Sequence, residues 1–520
     1  MHDSVDGGFE GSELKGSVMR TYLEIGSSDG GMLNERFASR SNWRGMSVEA
    51  VPERFESLHR HERNIYVNAA CSVDSNEPIE FHYVPLVDIE ANRLPSAARW
   101  HGATSIEASD VLREHRNLVR TATVPQVTVR HLVDHPIFTD RFTGRRRMSL
   151  LKLDAQPQAA ALLRTMLDWV RPTTIVMSTA SMSETEGLSI DALLRVHGYE
   201  YRGRRGDDAC YARPSVILIA NMKWSTGSIA RDLASMQGEW DIDCLGWDAY
   251  PHDLELLLSE YDAVASFLLL TPVVWPSLQR GGVVCCGPVE IGWANNGAPN
   301  AEHPLARGPF GFQGRCVGAV SRQIYGMLTR EQHAKRVLYT PASARLSRFR
   351  RGRRRPVKTL GWVGVPESAR SFGVDAKRFA MFEEIARRTG LQTCVTHQRY
   401  TYDTMQRFYD EIDLLVCTSM TEGGPLGPFE AIACGVPVIS TDVGLVREAE
   451  SIPKFEDVDG AVKLVERLQA DQTLLAACRD QQYREFEQRL SMERLLPLWE
   501  RFFEACRTPE PSSILVGSGA

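Results

Sequence analysis

The sequence predicts an α/β protein built of three Rossmann-like domains. Three observations carry the prediction. Apolar strands alternate with helix-like segments, the pattern of β-α-β units. Glycine-rich turns punctuate that pattern, at Gly26-Ser-Ser-Asp-Gly-Gly31, Gly361-Trp-Val-Gly364 and Gly423-Gly-Pro-Leu-Gly-Pro428. The chain is 520 residues long, and about 150 residues per domain gives roughly three domains. The expected boundaries are 19–213, 214–355 and 356–507. Polar, Gly-, Pro- and Ser-rich tails at 1–18 and 508–520 are expected to be disordered.

Composition narrows the function classes. The hydrophobic fraction of 43% and charged fraction of 24% are those of a globular protein. A net charge of −6 gives no electrostatic case for nucleic acid, and none is expected as a partner. The longest apolar run, 263–275, is broken by Pro272 and falls short of the roughly 20 residues a spanning helix needs. The N-terminus lacks the basic and apolar regions of a signal peptide. Eleven cysteines, with no C-x-x-C pair, sit mostly in apolar runs, which reads as buried reduced thiols in a cytoplasmic protein without structural zinc.

The first ordered stretch is a strand at 21–25, the turn at 26–31, and a helix over 32–40. A strand at 43–48 ending in Glu49, a helix over 52–61 and a strand at 64–70 follow. A strand end, a glycine turn and a helix start can hold the charged amino-acid end of a cofactor, and an acid at the tip of the second strand can accept ribose hydroxyls. Glu24, Gly26, Asp29 and Gly30 would form the first site and Glu49 the second. The segments Tyr22-Leu-Glu-Ile-Gly-Ser-Ser-Asp-Gly30, Trp43-Arg-Gly45 with Glu49, and Asn68-Ala-Ala70 resemble the class I S-adenosylmethionine-dependent methyltransferases, and more narrowly the FkbM family. The resemblance implies S-adenosylmethionine as cofactor and Asp154, in Leu150-Leu-Lys-Leu-Asp154, near the reaction centre. Gln156, Pro157, Ala159 and Ser178 depart from the family's acids and glycine there, so a non-catalytic binding module stays open beside an O-methyltransferase. Thr104 and Ser105 lie where the family carries a small, Ser-rich loop.

A second unit starts at 215–220. Helices are expected at 228–236 and 253–260, with strands at 262–265, 282–285, 314–321 and 337–341. Asp262 and His303 are its tempting polar residues, each more readily a turn or surface residue. The basic run Arg345-Leu-Ser-Arg-Phe-Arg-Arg-Gly-Arg-Arg-Arg355 reads as an exposed linker or as a positive field for an anionic ligand.

The third unit has strands at 359–364, 392–396 and 413–417, and helices over 376–389 and 402–412. Its centre is the run Thr418-Ser-Met-Thr-Glu-Gly-Gly-Pro-Leu-Gly-Pro-Phe-Glu430. A short helix over 429–434 and a strand over 437–440 complete a β-loop-α-β unit. Backbone N–H groups at such a glycine turn and helix start suit an anion, and the flanking Glu422 and Glu430 can accept hydrogen bonds from sugar or ribose hydroxyls. Glu422-x7-Glu430 with Ala431-x-x-x-Gly435-x-Pro437-Val438 resembles the E-x7-E signature of family 4-type retaining glycosyltransferases with the GT-B fold. The resemblance implies a metal-independent transfer from a nucleotide sugar to a glycan, lipid or protein acceptor. A lipid-linked acceptor would bring peripheral membrane contact with it. Glu422 would hold the donor sugar, Glu430 the ribose, and the backbone of Gly423, Gly424, Pro425 and Leu426 would face sugar and phosphate. Gly361 and Gly364 open the donor lobe. Val365 stands where the family carries an arginine, and Arg370, Lys377 and Arg378 are the available cations for the diphosphate. The helix over 490–506 is expected to cross back onto the first lobe.

Overall fold

The computed structural model describes residues 19–26, 33, 36–37, 40, 42–94, 102–103, 110–140, 144–155, 158–179, 182–223, 225–246, 254–267, 281–286, 315–330, 336–352, 355–366, 376–397 and 399–507. The chain divides into two compact units, one spanning Ser17–Ser215 and the other Val216–Ser512.

The N-terminal unit is organised on a seven-stranded sheet. Its order is Glu200–Arg205, Asp208–Ala212, Thr174–Ser178, Leu150–Leu153, Arg20–Ile25, Trp43–Glu49, Ile65–Asn68. The last five run parallel, and the hairpin of Glu200–Arg205 and Asp208–Ala212 closes one edge antiparallel. Arg20–Ile25 is buried throughout because both faces are covered. Leu23 and Ile25 pack with Leu162 and Met166 of the helix Ala159–Leu167 on one face, and Tyr22 packs with Phe37 and Trp43 on the other. This period-2 division is what a doubly covered strand requires. The winding reverses between Arg20–Ile25 and Leu150–Leu153, which makes their carboxyl ends a topological switch point. A small antiparallel sheet of Gly102–Ala103, Ile79–Tyr83 and Arg120–Val124 accompanies it.

The second unit contains two sheets. The first lobe has six strands in the order Asp241–Gly246, Ser215–Ala220, Ala263–Ser266, Gly282–Cys285, Cys316–Ala319, Val337–Tyr339, parallel from Ser215–Ala220 onward. The strand Asp241–Gly246 was not among the expected elements. The second lobe has four parallel strands in the order Gln392–Val395, Thr359–Trp362, Leu414–Cys417, Val438–Ser440. Helices Phe379–Thr389 and Val458–Ala470 cover one face of this sheet. Leu426–Ala433 and Met405–Glu411 pack in a separate core with Phe486.

The C-terminal helix Met492–Cys506 returns to the first lobe as expected. Its Trp499, Phe502 and Phe503 are fully buried among Val283, Val317 and Phe267, and Trp499 Nε1 donates to the Pro341 carbonyl at 3.0 Å. All eleven cysteines are free thiols. No helix among the described residues is long and apolar enough to cross a membrane.

Two expectations change. The helix after the glycine turn begins at Leu426 rather than 429, so Gly427 and Pro428 lie in its first turn, where the missing proline N–H costs nothing. The basic run is not an exposed linker as a whole. The Arg348 side chain is only 7% exposed, Arg351 pairs with Asp480, and Arg355 Nη1 donates to the Asp410 carbonyl at 2.9 Å.

Candidate functional site

The carboxyl edge of the second-lobe sheet gathers most of the predicted donor residues. Leu414–Cys417 runs into Thr418, whose hydroxyl accepts from Trp362 Nε1 at 3.1 Å and donates to the Lys377 carbonyl at 2.7 Å. That bond draws the turn before helix Phe379–Thr389 over the strand ends. Gly364 is fixed there too, its N–H donating to Thr396 Oγ1 at 2.9 Å. Lys377 Nζ then lies 3.2 Å from Glu422 Oε1, which also accepts from Ser419 Oγ at 3.2 Å. The Glu422 charge raises the Lys377 ammonium above its ordinary value, outweighing its desolvation. Both side chains keep solvent access, at 38% for Lys377 and 21% for Glu422.

The glycine turn is set by close approach. A Cβ on Gly423 would sit 1.9 Å from the carbonyl oxygen of Cys286, at the end of the first-lobe strand Gly282–Cys285. From behind, Leu445 N donates to the Gly423 carbonyl at 3.0 Å. Among the described residues, no protein acceptor meets the N–H groups of Gly423, Gly424 or Leu426. Pro425 caps the helix Leu426–Ala433 without a side-chain bond, so the helix start presents donors toward this edge.

Glu430 has a different environment. It is 4% exposed, on a helix whose every residue is buried. Oε1 accepts from Arg348 Nη1 at 3.1 Å and Oε2 from the Tyr409 hydroxyl at 2.7 Å. Arg378 takes a left-handed backbone (φ 48°) at the start of helix Phe379–Thr389, and its carbonyl accepts from Thr418. Its guanidinium is not joined to either glutamate by any ion pair among the described residues. Arg370 and His303 lie outside the described residues, as do Thr104 and Ser105. Asp262 is buried at the start of the strand Ala263–Ser266. Sequence reasoning missed Arg348, Asp232, Tyr402 and Tyr409; the density of arginines at 345–355 was the one available signal.

In the N-terminal unit the predicted residues Gly26, Glu49 and Asp154 stand at neighbouring strand ends around the switch point. Gly26 has φ 80°, and its N–H donates to the Val48 carbonyl at 2.9 Å. Asp154 N donates to the Ile25 carbonyl at 2.9 Å, so three strand ends are stitched together. A Cβ at Gly26 would lie 2.1 Å from the Asp154 carbonyl oxygen, so only glycine fits. Glu24 is fully buried, accepts from Leu33 N at 3.4 Å, and lies 3.6 Å from Lys152 Nζ. Burial pushes its carboxyl up to about 7, against the pull of Lys152. Glu49 stands at the tip of the second strand, one oxygen accepting from Val51 N at 2.8 Å. Burial likewise raises the Asp154 carboxyl. Asp29 and Gly30 lie outside the described residues, as do Gln156 and Pro157. Gly26 and Glu49 thus stand side by side on adjacent strand ends.

Comparison with known proteins bears on the second unit. Residues 363–485 match the family model described as glycosyl transferases group 1. The matched segment lies within the second lobe of the second unit, an α/β lobe on a four-stranded parallel sheet. No curated protein matches the chain at a significant level. Among solved structures, a point mutant of TarM from S. aureus, in complex with fondaparinux, α-GlcNAc-glycerol and UDP, is 14% identical, with TM-score 0.36, over 46% of this chain and 55% of its own. Sucrose-phosphate synthase from Thermosynechococcus elongatus is 13% identical, with TM-score 0.42, over 56% of this chain and 98% of its own. The pneumococcal O-GlcNAc transferase GtfA, in complex with UDP and GlcNAc, is 15% identical, with TM-score 0.34, over 50% of this chain and 60% of its own. The chain thus spans about half the length of the TarM structure.

Proposed function

We propose that the second unit transfers a sugar from a nucleotide sugar to a glycan, lipid or protein acceptor, with retention of configuration and without a metal. The observation that carries this is the Lys377–Glu422 pair, 3.2 Å apart, beside the N–H groups of Gly423, Gly424 and Leu426 at the carboxyl edge of a parallel sheet. Glu422 accepts hydrogen bonds from the donor sugar's hydroxyls, and Glu430 from the ribose. Lys377 and the turn's N–H groups stabilise the diphosphate as charge develops on it. Arg378 and Arg370 are the further candidates for that charge. The match of residues 363–485 to glycosyl transferases group 1 supports sugar transfer and leaves the nucleotide base to experiment.

Glu430→Ala should abolish donor hydrolysis and transfer; wild-type turnover in that variant would remove Glu430 from the donor site. Thermal shift against a panel of nucleotide sugars identifies the donor, because a ligand that binds only the folded state raises the melting temperature.

For the N-terminal unit we propose an S-adenosylmethionine-dependent O-methyltransferase acting on the same glycan. The switch point at Gly26 and Asp154, with Glu49 on the neighbouring strand, supports cofactor binding. The cofactor would supply the methyl group, and Glu24, Gly26, Asp29, Gly30 and Glu49 would hold it. A second reading makes this unit a non-catalytic binding module, favoured by Ser178 at the end of Thr174–Ser178, where the resembling family carries an acid. Calorimetry with S-adenosylmethionine separates the two. Binding without methyl transfer to any glycan favours the module, and no binding rejects the methyltransferase.

A further inference from the structure

Arg348 belongs to the basic run between the lobes, yet its side chain is 7% exposed. It sits at the end of the short turn Leu346–Arg348, whose entry is fixed by Glu493 from the C-terminal helix. The two Glu493 carboxylate oxygens accept from Leu346 N and Ser347 N, each at 2.9 Å. The guanidinium lies 3.8 Å above the Tyr402 ring, and Nη2 donates to the Tyr402 carbonyl at 2.8 Å. Nη1 reaches Glu430 Oε1 at 3.1 Å and Asp232 Oδ2 at 3.5 Å. Asp232 comes from the first-lobe helix Ser225–Ala234 and is fully buried. It also accepts from the Tyr402 hydroxyl at 2.6 Å and from Arg345 N at 3.2 Å. One cation thus joins a carboxylate of each lobe, with the Tyr402 and Tyr409 hydroxyls donating to the same two acids.

We propose that Arg348 is a positioning residue: it holds the Glu430 carboxylate for the donor nucleotide and ties that carboxylate to Asp232 of the first lobe. The inference rests on the donor-site reading of Glu430 given above. A buried carboxylate on a helix has a choice of rotamers, and a guanidinium on one oxygen with a hydroxyl on the other selects one. Each oxygen retains a further lone pair for a ribose hydroxyl. Arginine suits this place because a planar fork can stack on Tyr402 and meet several acceptors at once, whereas an ammonium cannot. Nucleotide grip and lobe docking therefore depend on the same side chain, and an exposed linker arginine would do neither.

The test is calorimetric titration of the full chain with ADP, GDP, UDP and CDP, for the wild type, Arg348→Lys, Glu430→Gln and the double variant. Lysine keeps the buried positive charge and so preserves folding while losing the fork. The wild type should bind at least one of the four. Arg348→Lys should weaken that binding by about tenfold, and the double variant should bind no more weakly than Glu430→Gln alone. Non-additivity of this kind is not expected of a residue that only stabilises the fold. Wild-type affinity in Arg348→Lys, or losses that multiply in the double variant, overturn the positioning role and leave the donor site standing. No binding to the wild type, or full binding to Glu430→Gln, overturns the donor-site reading and this inference with it. Should Arg348→Lys not fold, Arg348→Gln with Asp232→Asn removes one charge of each sign and carries the same comparison.

Discussion

Gly423→Ala probes the point where the glycine turn meets the first lobe. The added Cβ would lie 1.9 Å from the Cys286 carbonyl oxygen, 2.5 Å from its carbon and 2.8 Å from Val320 Cγ2. That is roughly 1 Å inside the closest approach a carbon makes to a carbonyl oxygen. The turn has no room to retreat: its carbonyl accepts from Leu445 N at 3.0 Å, and a Cβ on Gly444 would already lie 2.3 Å from that same oxygen. The obstructing Cys286 atoms are backbone, so no side-chain rotation relieves the clash. Overpacking of this sort costs about 1–3 kcal/mol, and a displacement of about 1 Å at a reacting centre can cost about 100-fold in rate. The expectation is a melting temperature lowered by several degrees and donor hydrolysis reduced by about two orders of magnitude. Differential scanning fluorimetry and a nucleotide-release assay measure both. Gly187→Ala is the control: its Cβ meets nothing within 4 Å on the helix Glu184–Val196, and it should stabilise by about 0.5–1 kcal/mol. A Gly423→Ala protein that melts with the wild type and turns over within about twofold of it would refute the close-approach reasoning.

The remaining predictions concern titration and the N-terminal turn. Burial pushes the Asp232 carboxyl up to about 6, against the pull of Arg348. A raised folded-state value means that its contribution to stability is present below about pH 4 and lost as pH rises through 6, so wild-type stability relative to Asp232→Asn should fall by up to about 3 kcal/mol between pH 4 and 7. Urea unfolding at a series of pH values reads the difference, and parallel curves would remove Asp232 as the titrating group. Gly26→Ala, with a Cβ 2.1 Å from the Asp154 carbonyl oxygen at φ 80°, should lower the melting temperature and abolish S-adenosylmethionine binding by calorimetry. Retained affinity would place the cofactor site elsewhere.

Much of the fold was legible because buried parallel strands announce themselves as short apolar runs. Leu414–Cys417, Val438–Ser440 and Arg20–Ile25 all fall within a residue or so of their expected places. Helix starts were less legible. The helix expected from 376 begins at Phe379 because Thr418 draws the Lys377 and Arg378 carbonyls away, a contact 41 residues distant for Lys377. The strand Asp241–Gly246 was missed because its alternation of Asp, Ile, Asp and Cys does not read as an apolar run. The glycines were legible as a turn, but their packing against Cys286 was not, since one sequence shows no neighbour from another element. The basic run misled for the same reason. Arg348 is 82 residues from Glu430 and 116 from Asp232, and no local pattern encodes such partners.

The two glutamates of the E-x7-E pair illustrate what spacing can and cannot specify. Glu422 lies in the loop before the helix and Glu430 inside it, at the fifth position of Leu426–Ala433. An α-helix turns about 100° per residue, so the interval from Leu426 to Glu430 decides that the second acid faces Arg348 and Tyr409. The interval says nothing of the environment each acid meets. Glu422, with solvent access, pairs with a flexible ammonium, and parting the two would strand no fully buried charge. Glu430, nearly sealed, has its partners arranged by the turn at 346–348 and by Glu493, and losing one of them would leave an uncompensated charge in a low dielectric. The partners that the chain brings from other elements, rather than the spacing, distinguish the solvent-accessible carboxylate from the buried one.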